Sequence, residues 1–168
     1  MKSTGEKVAL IIAIILIITF ITGAICAVVF GIKFFKEHVM IIKDSITAEK
    51  FVSIMKDEGF ETKEITGYAD NVESKKAYKA QNGDYTIEFY EFDTELDSTF
   101  FYHNREEKVN SKSATKKVSM SGNNYELLTL VKNGEYYFIE RIDKTVVIVY
   151  GSSKHEEASK TVLKKFGY

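Results

Sequence analysis

The chain has 168 residues, a formal net charge of −1, no proline and one cysteine, Cys26. Plentiful aromatic residues and the lack of any low-complexity run exclude a disordered chain. Beyond Cys26 there is no thiol, which rules out disulfides, CxxC motifs and cysteine nucleophiles there. From Asp44 onward the chain carries 18 Lys+Arg against 22 Asp+Glu, a balance of −4. A mildly acidic domain does not suit nucleic acid, so no nucleic-acid partner is expected.

The first element is a run from Val8 to Ile32 without a charged residue. At about 1.5 Å rise per residue, a helix of this length crosses a hydrocarbon core of about 30 Å. Phe34 and Phe35 sit between Lys33 and Lys36, the pattern of rings at headgroup depth with lysines reaching water. The apolar stretch is longer than a cleaved signal peptide needs, and Ile25 and Cys26 interrupt the small residues around Ala24 and Ala27. Ile25 also stands where a lipoprotein would have a small residue before its cysteine. Gly5 is followed by Glu6, unlike a pilin leader. The expected organisation is therefore a single-pass membrane anchor over residues 1–35, a connector over 36–46 and a soluble domain over 47–168. Gly23, Ala27 and Gly31 recur every four residues, a small-residue face on which two anchor helices could pair into a homo-oligomer. Lys2 and Lys7 precede the run, and Lys33, Lys36 and Lys43 follow it. That count favours a cytoplasmic domain, whereas a first hydrophobic segment behind a short tail acts as an uncleaved signal. The expectation is an extracytoplasmic domain at the cell membrane.

After the connector, Thr47 to about Gly59 reads as a helix. Ser45 or Thr47 can cap it, Phe51, Ile54 and Met55 share a face, and Gly59 stops it. Strands follow at Glu61–Ile65, Lys75–Ala80 and Tyr85–Phe92, the last two joined through Asn82-Gly83, which favours a type I′ turn. A second helix is expected over Thr94–Asn110, with Asp93 as its cap and Leu96, Phe100 and Phe101 as its apolar positions. Four strands then form a meander: Lys116–Met120, Tyr125–Val131, Tyr136–Ile142 and Thr145–Tyr150. The unbroken Val146-Val147-Ile148-Val149 marks a strand that is central or covered on both faces. A last helix runs from about Lys154 to Phe166, with Ala158, Val162 and Phe166 spaced by four. The fold class is α+β: a mostly antiparallel sheet with about three helices on one face.

Thr47-Ala48-Glu49-Lys50-Phe51, Ile87-Glu88-Phe89-Tyr90-Glu91-Phe92-Asp93 and the closing Lys164-Lys165-Phe166-Gly167-Tyr168 carry a resemblance. In these segments the domain resembles small uncharacterised membrane-anchored surface proteins of low-GC Gram-positive bacteria. The resemblance implies an anchored envelope protein and no particular activity, and it transfers no site residues.

Catalytic and metal signatures are weak throughout. Glu88, Glu91, Asp93, Glu95 and Asp97 form the densest acidic cluster. An EF-hand starting at Asp93 would want glycine and glutamate where Ser98 and Asn104 stand. His103 and His155 lack zinc-ligand spacing, and neither a Gly-x-Ser-x-Gly elbow nor a phosphate loop is present. No catalytic, cofactor or metal residue is assigned. The aromatic strands stand out more. Tyr85, Tyr90, Phe92, Tyr136 and Tyr137 put rings on both faces of the sheet, and rings on a face not covered by helices would form an interface. The leading expectation is a membrane-tethered, non-enzymatic interaction module with the lipid bilayer and an envelope protein as partners. A hydrolase using carboxylates or a metal, and a cytoplasm-facing regulator, are the alternatives.

Overall fold

The computed structural model describes residues 42–110 and 114–168. The chain divides into two units, Met1–Met40 and Ile41–Tyr168, and the described residues belong to the second. Among them no helix is long and apolar enough to cross a membrane; the uncharged run Val8–Ile32 lies outside the described residues.

Helix α1 covers Ala48–Asp57. Its N-cap is Thr47, whose hydroxyl accepts from the Lys50 amide. It ends at Gly59, whose φ of 79° places it in the left-handed region, while the Phe60 amide bonds back to the Met55 carbonyl. Strands β1 (Glu61–Glu64), β2 (Tyr68–Ala69), β3 (Val72–Glu73), β4 (Lys76–Gln81) and β5 (Tyr85–Glu91) follow. Helix α2 spans Glu95–Val109. Thr94 caps it rather than Asp93, because its hydroxyl reaches the Asp97 amide at 3.1 Å. Strands β6 (Lys116–Ser121), β7 (Tyr125–Lys132), β8 (Glu135–Ile142) and β9 (Thr145–Ser152) make the meander. A short 3-10 turn over Ser153–His155 then leads into helix α3, Glu156–Lys165.

Among the described residues the fold is α+β, with a mostly antiparallel sheet and three helices. Seven strands stand in the order β1-β4-β5-β9-β8-β7-β6, every pair antiparallel, and β2 and β3 form a separate hairpin. Strand β9 is the middle strand, so its valine-rich run is covered on both sides. On one face α1 and α3 pack Phe51, Met55, Val162, Leu163 and Phe166 against Ile87, Phe89, Val147 and Val149. On the other, α2 packs Phe101 and Tyr102 against Tyr90, Leu128, Ile139 and Val146. The expectation of helices on one face is thus corrected: each face of β5, β8 and β9 is apolar enough to need its own cover.

Two local expectations are also corrected. Asn82-Gly83 is not a type I′ turn. The register Gln81↔Thr86 leaves four residues in the loop, and the Asn82 carboxamide accepts from the Asp84 and Tyr85 amides instead. Both central residues are left-handed at Asn133-Gly134, with φ of 52° and 80°, where β7 meets β8. In α3 the buried residues are Ser159, Val162 and Leu163, while Ala158 faces solvent.

The β2–β3 hairpin is not foreseen by the patterning. Asp70 and Asn71 form its turn, with φ of 53° and 64°. The Asp70 carboxylate pairs with Arg105 and Lys108 of α2, and the Asn104 carboxamide donates to the Asp70 carbonyl at 3.1 Å. Asp70→Ala combines a loss of both ion pairs with a left-handed alanine, and should cost about 2 kcal/mol. Asp70→Gly relieves the backbone part of that loss and should cost about 1 kcal/mol less. Urea midpoints of the two variants measure the difference.

Candidate functional site

The rings expected to form a surface patch are core residues. Tyr85, Tyr90, Phe92 and Tyr136 are buried, and only Tyr137 is partly exposed. Tyr90 lies tilted against Phe101 with centroids 4.4 Å apart, Tyr85 meets Phe60 edge-on at 5.5 Å, and Tyr136 lies beneath α3. Burial pushes the Tyr136 phenol up to about 12. Both faces carry helices, which is why alternation along β5 and β8 left no face of rings for solvent. The exposed large apolar residues lie elsewhere: Leu96 and Phe100 on the outward side of α2, Val118 and Met120 on the edge strand β6, and also Ile42 and Tyr68. Gly23, Ala27 and Gly31 lie outside the described residues.

The acidic cluster disperses into three places. Glu88 points to the α2 face, where the Tyr90 and Tyr150 hydroxyls each donate to it at 2.9 Å. Glu91 points to the α1 face and pairs with Lys75 at 3.3 Å. Asp97 turns back to the Thr94 hydroxyl. Glu91, Asp93 and Glu95 line an open polar cleft of about 400 Å³ with Thr47, Lys75, Asp143 and Lys144. His103 sits apart from this cleft, between Glu106 at 3.4 Å and Glu126 at 3.3 Å, and Glu126 in turn takes Arg141 at 3.0 Å. Among the described residues no group of three or more His, Cys, Asp or Glu is arranged to hold a metal.

The most constrained polar group is one that sequence reasoning passed over. Glu140 lies on β8 with no exposed surface, facing α1 and α3. Its cation is Lys43, 97 residues earlier in the connector, whose ammonium donates to Oε1. Oε2 is buried and has no hydrogen-bond partner. Burial raises the Glu140 carboxyl above the ordinary carboxylate range, and Lys43 opposes that rise. Lys43 is held at three further points. Its amide donates to the Asn124 Oδ1 at 3.2 Å, its carbonyl accepts from the Asn124 Nδ2 at 2.7 Å, and its ammonium lies 4.8 Å from the centre of the Tyr125 ring. Asn124 Nδ2 also reaches the Asp143 carboxylate at 3.1 Å. Nearby, the hydroxyls of Thr145 and the buried Tyr168 are 2.9 Å apart. The residues Ile42 to Ile46, read from the sequence as connector, are thus bonded into the domain, and Ile46 is part of its core.

No protein-family model matches the chain, and no curated protein does. A crystal structure of a GTP binding regulator from Thermotoga maritima is similar, with a TM-score of 0.48 and 17% identity, covering 73% of this chain and 88% of that one.

A sequence signal for the clamp exists only in outline. Glu140 is a lone acid inside the apolar strand Tyr136-Tyr137-Phe138-Ile139, and a charge at a core position demands a partner. Nothing local says that the partner is Lys43.

Proposed function

We propose that this chain is a membrane-tethered, non-enzymatic interaction module, anchored once through residues 1–35, with its α+β domain outside the cytoplasm. One observation carries the reading. The 25 uncharged residues from Val8 to Ile32 end ten residues before Ile42, where the chain joins a domain that bonds its own connector through Lys43. Among the described residues Leu96, Phe100, Val118 and Met120, with Ile42 and Tyr68, are exposed apolar side chains available to a protein partner. The envelope-protein resemblance of the Thr47–Phe51, Ile87–Asp93 and Lys164–Tyr168 segments points the same way. The hydrolase reading has less support: Glu91, Asp93 and Glu95 share one open cleft, but Glu88 and Asp97 are bonded elsewhere and His103 joins none of the five.

Two measurements on the full chain test this. Alkaline carbonate extraction should leave the protein in the membrane pellet; release into the supernatant would end the anchor reading. Next, Cys26→Ala combined with Ser119→Cys puts one thiol on the exposed edge strand. An impermeant maleimide should label it on intact cells. Labelling that needs permeabilised cells would put the domain inside and make a cytoplasm-facing regulator the better reading.

A further inference from the structure

We propose that the Lys43–Glu140 pair is a proton-operated latch: protonation of Glu140 releases the connector from the domain without unfolding it. The geometry separates the two halves of the latch. Glu140 belongs to the sheet core, fixed by β7 and β9 on either side. Lys43 belongs to a segment without helix or strand, with its side chain 23% exposed. The two partners therefore respond differently when their charge pairing is lost. A neutral Glu140 stays buried at lower cost than its carboxylate, since the charged form already has one oxygen without a partner. An ammonium without a counter-charge moves to water, and Lys43 has a path there. The remaining ties are the Asn124 carboxamide bonds and the Tyr125 ring.

The other groups around the latch are Asp143 in the β8–β9 turn, Tyr125 on β7, Tyr168 at the end of the chain and Tyr102 of α2. Burial raises the phenols of Tyr168 and Tyr102 above their ordinary value, so neither ionises in the acidic range. Asp143 is tied to Asn124 rather than to Lys43. Glu140 is then the group whose protonation acts directly on the Lys43 ammonium. The sign follows from its raised carboxyl. The latch is closed at neutral pH and opens as pH falls through that raised value, before ordinary carboxylates are protonated.

The test uses the full chain with Cys26→Ala and Ile42→Cys carrying a nitroxide spin label; Ile42 is 70% exposed, so the label displaces no packing. Between pH 8 and pH 4 the held-to-free ratio in the spectrum should fall roughly tenfold, the weight of one hydrogen bond to a charged group. With Glu140→Gln the label should be mobile at both pH values while circular dichroism stays native. A spectrum that does not change with pH overturns the proposal. So does a pH response that persists in Glu140→Gln. If Glu140→Gln fails to fold, Lys43→Gln replaces it: a label mobile at both pH values supports the latch, and one still held at pH 8 overturns it.

Discussion

Lys43→Met should destabilise the domain by about 3 kcal/mol at neutral pH, the scale for breaking a buried ion pair from one side. The Glu140 side chain is 1% exposed and would keep its charge with neither oxygen paired to a cation. The melting temperature should fall by about 10 °C, at roughly 4 °C per kcal/mol for a domain of this size. The loss depends on pH in a defined direction. Glu140 has a raised carboxyl in the folded state, so its protonated form contributes stability that is fully present below the ordinary carboxylate value and is lost as pH rises through the raised one. Without Lys43 nothing opposes the rise, and the deficit should shrink as the pH is lowered from 7 towards 5. Adding Glu140→Gln to Lys43→Met removes the stranded charge and should recover most of the loss at neutral pH. Thermal melts of the single and double variants at pH 7 and pH 5 decide this. A deficit that is equal at both pH values, or that grows in the double variant, would show that Glu140 is not the group left unpaired.

Long, strongly patterned segments were the legible part of this fold. Thr47 as cap and Gly59 as stop bracket α1 because both act locally, through one hydroxyl and one left-handed residue. The unbroken valines of β9 marked a strand covered twice, and β9 is indeed the middle of seven. The same reasoning could not reach pairing between distant segments. The β5–β9 contact joins strands with α2 and the rest of the meander between them, and it is what places helices on both faces. Asp70-Asn71 makes a two-residue turn without glycine, so a signal built on Asn-Gly picked Asn82 and missed this hairpin. The aromatic residues misled for a related reason. Alternating rings show that a strand has two apolar faces, but only the tertiary arrangement decides whether the second face meets a helix or water. Four of the five rings named from sequence met helices or neighbouring core. The Lys43–Glu140 pair combines both difficulties: a lone acid in an apolar strand is visible in the sequence, while its partner 97 residues away is not.

Helix α2 shows how far neighbouring residues can differ, and Phe101→Ala should be the most damaging single substitution on its face of the sheet. Phe101 has no exposed surface. Its ring lies 4.4 Å from Tyr90 and 5.1 Å from Phe92, and the Arg105 guanidinium stands 5.2 Å from its centre. Truncation to alanine opens a cavity in a cluster fixed by strands β5, β7, β8 and β9, so little collapse can relieve it, and about 4 kcal/mol should be lost. That is a large share of the roughly 5–15 kcal/mol that holds an ordinary domain. Phe100, one residue earlier, is 57% exposed, and Phe100→Ala should change stability by no more than about 0.5 kcal/mol. The residues α2 buries are Ser98, Phe101 and Tyr102. A serine and a tyrosine weaken the apolar stripe, while Leu96 and Phe100 decorate the wrong side, which is why periodicity alone grouped Phe100 with Phe101. Urea unfolding of the two alanine variants, side by side in the full chain, measures the contrast. Equal midpoints would mean that α2 is not seated on the sheet through Phe101. A loss of binding without a loss of stability in Phe100→Ala would mark that exposed ring as part of the surface a partner recognises.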